Sequence, residues 1–215
     1  MYAREGRGII KSMAIAVVLS AAAGWLAHLP YFKILMLVSL IFLIFCGFFF
    51  RDPRRIIPFG DNLVLAPADG KVVYVGKKVA KRNDFQAEEK QVSIFLSIFD
   101  VHTNRVPVSG VVTYVKHIKG KFLAAFKDEA SEVNEQTEIH IHTGKTLVKV
   151  RQVAGILARR IICYLKEGDQ VTQGSRLGFI RFGSRTDLIM PAETKIHVSV
   201  GDKVKGGETI IGELV

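Results

Sequence analysis

Cysteine is nearly absent. The 215 residues contain two, Cys46 and Cys163, each in an apolar run and far from the other. That supports neither a disulfide framework nor a zinc site, which needs clustered ligands, and it agrees with a reducing compartment. Acidic residues are also few: 20 Asp and Glu stand against 30 Lys and Arg, a net charge of +10. A basic balance points to nucleic acid, an anionic membrane surface or an anionic substrate. No nucleic-acid-binding motif is present and no basic run is interleaved with aromatic residues, so no nucleic-acid partner is expected. Attraction to an anionic membrane surface is the simpler reading. Sustained heptads are missing, and long helical patterns are few after residue 50.

What the chain has in excess is apolar sequence at its start; 49% of all residues are hydrophobic. Met13 to Leu29 is apolar apart from Ser20 and His28, and Ile34 to Phe50 is apolar apart from Ser39. At about 1.5 Å per residue each run is slightly short of a bilayer core of about 30 Å. Snorkelling flanks and local thinning cover such a deficit. Pro30 cannot continue the first helix without losing a hydrogen bond. The expectation is a transmembrane helical hairpin, with helices over 13–29 and 34–50 and a tip from His28 to Lys33. Arg4, Arg7 and Lys11 precede the first run, Arg51, Arg54 and Arg55 follow the second, and only Lys33 marks the tip. The positive-inside rule then puts both ends in the cytoplasm, with the rest of the chain on the cytoplasmic side of the cell membrane. Arg54 and Arg55 read as such flanks, or as contacts to lipid phosphates. A secretory signal peptide ending near Ala21-Ala22-Ala23 is the alternative, although its removal would leave the second run as an anchor. Helices of a soluble core usually carry a polar face, which these lack.

From Asn62 the pattern changes to short β-branched runs between glycine turns: Lys71 to Val75, Val92 to Leu96, Val111 to Val115, Thr146 to Val150, Ile161 to Tyr164 and Lys195 to Val200. These are strand signals. Lys121 to Glu132 reads as loop or a short helix. Gly168-Asp169-Gln170-Val171-Thr172-Gln173-Gly174 matches Gly201-Asp202-Lys203-Val204-Lys205-Gly206-Gly207, a weak internal repeat. Such Gly-Asp turns recur in barrel-sandwich domains of the biotinyl/lipoyl type. The expected fold is therefore mainly β, a compact antiparallel domain over 56–215 with barrel-sandwich elements, after a membrane anchor over 1–55.

Five short motifs follow one another in this domain. They are Pro67-Ala68-Asp69-Gly70; Phe99-Asp100-Val101-His102, with Arg105-Val106-Pro107 after it; Asn134-Glu135; Ala154-Gly155, with Ala158-Arg159-Arg160 after it; and Phe182-Gly183-Ser184-Arg185. In this order, ending on Gly-Ser near the C-terminus, they resemble the phosphatidylserine decarboxylase family. Phe-Gly-Ser-Arg is similar to the short branch of that family, whereas long-form members carry a Leu-Gly-Ser-Thr type of site. The resemblance covers nearly all of the chain after the anchor. Two positions depart from it: Gln136 stands where the family has the Arg of Asn-Glu-Arg, and Arg105 stands where the long form has the second His of Asp-Tyr-His-x-x-His.

The resemblance implies a self-cleaving proenzyme. Ser184 Oγ attacks the Gly183 carbonyl, the peptide becomes an ester, β-elimination breaks it, and residue 184 becomes a pyruvoyl group. The products are a β chain, 1–183, and an α chain, 184–215. Glycine at 183 is expected to leave room for the hydroxyl to reach the carbonyl. The pyruvoyl keto group then forms a Schiff base with the amine of phosphatidylserine and acts as the electron sink for decarboxylation to phosphatidylethanolamine, the role pyridoxal phosphate plays elsewhere. No external cofactor and no metal is implied. A serine hydroxyl needs a base, and the resemblance offers Asp69 and a histidine. With Arg105 in place of the second histidine, either His102 serves both steps or Asp69 acts with another group. His102 is the candidate acid in turnover, because histidine titrates near neutrality. Asn134, Glu135 and Arg105 are candidate substrate-binding residues.

Each residue has a plainer reading. Ser184 and Asp69 suit ordinary turns, His102 could be a structural histidine, and Asn134 and Glu135 could cap a loop. His140 and His142 alternate on one strand face, but with no third ligand evident they read as solvated strand residues rather than a metal pair. His117 and His197 have no case beyond structure. Rival functions are a membrane-tethered adaptor module without enzyme activity, a biotinyl or lipoyl carrier, and a pyruvoyl decarboxylase of another amine. The adaptor does not account for Gly183-Ser184 with Asp69 and His102. The carrier needs a modifiable lysine, and Lys195 lacks the usual flanks. A homo-oligomer stays open.

Overall fold

The computed structural model describes residues 1–27, 30–82, 85–125, 130–156, 160–181 and 183–215. The chain divides into two units, Met1–Arg54 and Arg55–Val215.

The first unit holds α1 (Arg4–Ala27) and α2 (Pro30–Phe49), which pack on each other. Ala3 N–H donates to Phe50 O at 2.8 Å and Asp52 N–H to Met1 O at 2.8 Å, so the outer ends of the two helices are tied together as in a hairpin. Both are long and apolar enough to cross a membrane, and little of either is buried within the chain. Helix α1 starts at Arg4 rather than Met13 because Arg4, Glu5, Arg7 and Lys11 are helix-compatible residues outside the apolar run. Helix α2 starts at Pro30 rather than Ile34, since the missing N–H of proline costs nothing in a first turn. His28 and Leu29 of the expected tip lie outside the described residues.

The second unit is mainly antiparallel β with a curled half-barrel sheet. Its elements are β1 (Leu63–Leu65), β2 (Gly70–Arg82), β3 (Phe85–Leu96), β4 (Thr103–Arg105), β5 (Gly110–Ile118), α3 (Ala130–Val133), β6 (Gln136–His142), β7 (Leu147–Val153), β8 (Ile161–Cys163), β9 (Gln170–Val171), β10 (Arg176–Ile180), β11 (Ser184–Pro191), β12 (Lys195–Ile196), β13 (Lys203–Val204) and β14 (Ile210–Glu213). The large sheet has the order β13-β2-β3-β11-β7-β6-β5-β9, and two small sheets have the orders β1-β14-β12 and β4-β10-β8.

These orders mirror each other. Strands β4 to β10 form one seven-strand module; β1 to β3 with β11 to β14 form a second of the same layout. The first is inserted into the second between β3 and β11. The Gly-Asp repeat is the local trace of this duplication. Gly168 N–H donates to Val112 O and Gly201 N–H to Val72 O, at 2.8 and 2.9 Å. Asp169 and Asp202 each accept a backbone N–H three residues back, from Lys166 and Ser199, at 2.8 Å. Strand β12 stops at Ile196, short of the expected Val200, because the chain turns at Ser199 into this corner.

The core lies between the large sheet and the small ones. It joins Val72, Val92, Ile94, Leu188 and Met190 of one module to Val112, Ile139, Ile141, Val148 and Val150 of the other, with Val64, Val106, Leu177 and Ile211 from the small-sheet side. Valine and isoleucine suit these half-buried pleated surfaces.

On the outer face of the large sheet, Glu138 joins β6 to β7. It contacts His140 Nε2 at 2.6 Å and accepts from Arg151 Nε at 2.9 Å. His140 thus sits against a carboxylate, with its ring tilted on Tyr114, centroids 4.7 Å apart, rather than solvated. The His140 hydrogen bond, then the charge of Arg151, hold the Glu138 carboxyl down to about 2 from its ordinary 4.5. A depressed carboxylate stabilises the fold above its unfolded pKa and loses that contribution as pH falls through the folded one. The unfolding free energy is therefore expected to fall between pH 4.5 and 2 by up to about 3 kcal/mol, and Glu138→Gln to remove that part of the slope in denaturant titrations at each pH.

Candidate active site

The antiparallel register brings the motifs to one end of the large sheet. Lys71 is opposite Phe95, Phe95 opposite Arg185, Arg185 opposite Val153, and Val153 opposite Gln136. One residue further along each strand, the row reads Gly70, Leu96, Ser184, Ala154, Glu135. The two connections between the modules start and end at this end of the sheet as well. Residues 97–102 lead from β3 to β4, and 181–183 lead back from β10 to β11. The end of β10 meets the first of them, where Ile180 N–H donates to His102 O at 3.3 Å.

Ser184 opens β11 and is fully buried. Its Oγ has no hydrogen-bond partner among the described residues, an uncommon and costly state for a buried hydroxyl. Gly183 before it has φ +62°, the left-handed region in which glycine carries no Cβ penalty. A Cβ on Gly183 would meet nothing within 4 Å beyond its own chain neighbours, whereas one on Gly155 would sit 2.1 Å from the Gly183 carbonyl oxygen. Glycine at 155 lets its backbone press against that carbonyl.

Asn134 holds this approach in place. Its Nδ2 donates to Leu123 O and Ala154 O, both at 2.8 Å, and its Oδ1 accepts from Leu123 N–H at 2.8 Å. The side chain is 1% exposed and braces the Ala154-Gly155 turn. Glu135, half-buried, lies 3.5 Å from His117 Nε2, and its carbonyl accepts from Ala154 N–H at 2.9 Å.

His102 is fully buried. Its Nδ1 lies 2.9 Å from Asp100 O. A carbonyl only accepts, so Nδ1 carries a proton and Nε2 is the nitrogen left to exchange one. Asp100 in turn fixes the loop, its Oδ2 accepting from Ser97 N–H at 2.8 Å and Ser97 Oγ at 2.7 Å. Asp69 lies at the same sheet end, but its carboxylate is turned to other partners. Arg55 Nη2 donates to both oxygens, at 2.7 and 2.8 Å, and Gly206 N–H donates to Oδ1 at 2.8 Å. Burial pushes the Asp69 carboxyl up from its ordinary range, against the pull of Arg55 and of the Gly206 amide. Arg55, with 7% of its side chain exposed and a second carboxylate, Glu208, at 3.5 Å, is a buried partner rather than a solvated flank. Arg105 ends β4, away from His102, and its Nη1 donates to Gly174 O at 3.3 Å.

Several residues were not singled out by the motifs. Gln152 and Thr186 are opposite one another, and Gln152 Nε2 donates to Asn104 Oδ1 at 2.7 Å. All three are buried, and Thr186 Oγ1, Asn104 Nδ2 and Gln152 Oε1 lack hydrogen-bond partners among the described residues. Their sequence signal is a polar residue where the alternation wants an apolar one: Val148, Val150, Gln152 on β7, and Ser184, Thr186, Leu188, Met190 on β11. Ala158, Arg159 and Phe182 lie outside the described residues. No group of three or more His, Cys, Asp or Glu is placed to hold a metal among the described residues.

Residues 42–212 match the family model described as phosphatidylserine decarboxylase. The chain is similar to the phosphatidylserine decarboxylase proenzymes of Geobacter sulfurreducens, 43% identical over 98% of this chain and 95% of that one, and of Geobacter metallireducens, 44% identical over 99% and 96%. That of Chlorobium limicola is 44% identical over 94% of each chain.

Arg55→Gln leaves a buried carboxylate without its cation and is expected to destabilise the β unit by about 3 kcal/mol. Asp69→Asn added to it should recover part of that loss. A double-mutant cycle by denaturant unfolding, with Asp69→Asn alone as its remaining corner, measures this, and a double variant that costs the sum of the two singles would rule the coupling out.

Proposed function

Because the chain belongs to the phosphatidylserine decarboxylase family, we propose that it converts phosphatidylserine to phosphatidylethanolamine, using a pyruvoyl group formed from Ser184 by cleavage of its own backbone. The observation that carries this reading is the Gly183-Ser184 junction: a buried serine hydroxyl with no hydrogen-bond partner among the described residues, next to a carbonyl packed on Gly155.

In the self-cleavage, Ser184 Oγ gives up its proton to a base and bonds to the Gly183 carbonyl carbon; the tetrahedral adduct then breaks its C–N bond, and the proton passes to the amine nitrogen of residue 184. The Gly183 carbonyl is held against the Gly155 backbone, so the direction of attack is set beforehand. A base then takes the Cα proton of residue 184. That electron pair forms the Cα–Cβ double bond, and Gly183 leaves as a carboxylate. Water replaces the nitrogen of the resulting dehydroalanine, ammonia departs, and a keto group remains at the head of chain 184–215. Once formed, this α-keto amide supplies an electron sink for the pair left when carbon dioxide departs.

His102 is assigned as the base of self-cleavage and as the proton donor in turnover. The Nδ1 bond to Asp100 O presents Nε2 for the first task. Asp69 is assigned a positioning role, fixing the Ala68 to Gly70 corner against Arg55. Asn134 positions the Gly155 turn, and Glu135, in the same row, is assigned to the substrate's ammonium. The apolar hairpin keeps the enzyme at the membrane that holds its substrate, and the basic residues at the helix ends support a cytoplasmic β unit by the positive-inside rule. No observation favours the adaptor or carrier readings.

Intact masses test the chemistry. The wild type is expected to give chains 1–183 and 184–215, the smaller blocked by pyruvoyl, and Ser184→Ala to give one whole chain. A folded wild type that stays whole would overturn the mechanism. Gly155→Ala displaces the carbonyl and is expected to slow cleavage on the order of 100-fold, the penalty of a misplacement of about 1 Å. Cleavage of this variant at the wild-type rate would remove Gly155 from the mechanism.

A further inference from the structure

The loops around Ser184 carry apolar side chains that the fold does not bury. Phe99, in the β3–β4 connection, is 64% exposed, and Ile156, just beyond the Gly155 turn, is 58% exposed. Phe122 and Val133, from the two ends of the β5–β6 connection, are 37% and 38% exposed. These residues come from three separate connections, and the register places all three at the Ser184 end of the large sheet. Lys119, Lys121 and Arg160 of the same connections are exposed, against one exposed carboxylate, Glu132, among their described residues. The β unit also begins at this end: its first residue, Arg55, is held on Asp69, and the apolar run of α2 ends at Phe49, six residues earlier.

From this arrangement, and resting on the proposed lipid substrate, we propose that the Ser184 end of the β unit is a bilayer-docking face. Phe99, Phe122 and Ile156 enter the headgroup–acyl boundary, and Lys119, Lys121 and Arg160 meet anionic headgroups. Apolar side chains ringed by cations bind anionic interfaces through both effects. Docking by this end brings the buried junction to the height of lipid headgroups, so a substrate would enter without leaving the membrane. Exposure alone does not pick out this end. Phe59 is 97% exposed, but it borders a cavity of about 640 Å³ shared with Thr143, Lys145 and Thr146, which belong to the β6–β7 turn at the opposite end of the sheet. Phe59 is therefore the internal control.

The test uses the full chain reconstituted in nanodiscs containing phosphatidylserine. Trp25 is the only tryptophan, so Trp25→Phe gives a silent background for single reporters at Phe99→Trp, Phe122→Trp, Ile156→Trp and Phe59→Trp. With lipids brominated along the acyl chain, the first three are expected to lose most of their emission and Phe59→Trp to keep it. No quenching at 99, 122 and 156, or equal quenching at 59, would overturn the proposal. A second readout is kinetic. Phe99→Asp with Ile156→Asp is expected to raise the apparent KM for bilayer phosphatidylserine at least 10-fold, from the lost apolar burial, and to leave turnover of a short-chain, water-soluble phosphatidylserine and the cleavage at Ser184 unchanged. Equal losses on both substrates would mean that the pair acts on the fold or the chemistry instead. Quenching reads docking without any reaction, and the intact masses read cleavage without a bilayer, so failure of one is distinct from failure of the other.

Discussion

The Ser184 end of the molecule depends on β11 being hydrogen-bonded along both edges. It lies between β3 and β7 and pairs with each. That central position fixes where Ser184 falls relative to Gly155, His102 and Asp69, none of which is near it in sequence. It also means that residues 184–215 are held by strands of residues 1–183 through backbone ladders as well as by the core. A chain cut after Gly183 would keep its new end in place.

The register of β11 is fixed by polarity as much as by burial. Ser184, Thr186, Leu188 and Met190 face the core side. Arg185 and Asp187 face the other and are equally buried. Arg185 Nε donates to Asp187 Oδ1 at 2.6 Å and Nη2 to Ser93 Oγ at 2.8 Å, while Ser131 Oγ donates to Asp187 Oδ2. A one-residue slip would exchange the faces and turn an arginine and an aspartate into an apolar core. Buried ion pairs are weak contributors to net stability but strong discriminators against the wrong arrangement, because an unpaired buried charge costs several kcal/mol, about 3–5. Specificity of register is the role this network has here.

Much of this was legible in the sequence. The alternation of β-branched residues marked β2, β3, β5 and β7, and the Gly-Asp pairs marked two equivalent corners. The motif order placed attention on Gly183-Ser184. Strand β11 was harder to see because Arg185, Thr186 and Asp187 break any apolar pattern; only their mutual pairing permits burial. The nesting of one module in the other was hidden for a different reason. Strand order is a non-local property, and nothing near Leu96 announces that its neighbour is Ser184. Arg55 was misleading because a basic residue after an apolar run looks like a membrane flank, while the carboxylate that claims it belongs to a later loop. The role of Gly155 is likewise a contact between two distant backbones, and composition carries no trace of it.

The nested layout has a consequence for timing. Within the inserted module the β5–β6 and β6–β7 pairings join neighbours in the chain and can form early, whereas β3 meets β11 only across the whole module between them. The row that contains Ser184 thus waits on a long loop closure. On the proposed chemistry, a nascent chain on the ribosome, or one that has misfolded, holds an inert serine. The reactive geometry arrives only with that long-range pairing, so the molecule inspects the nesting of its modules before it spends the one peptide bond it cannot remake.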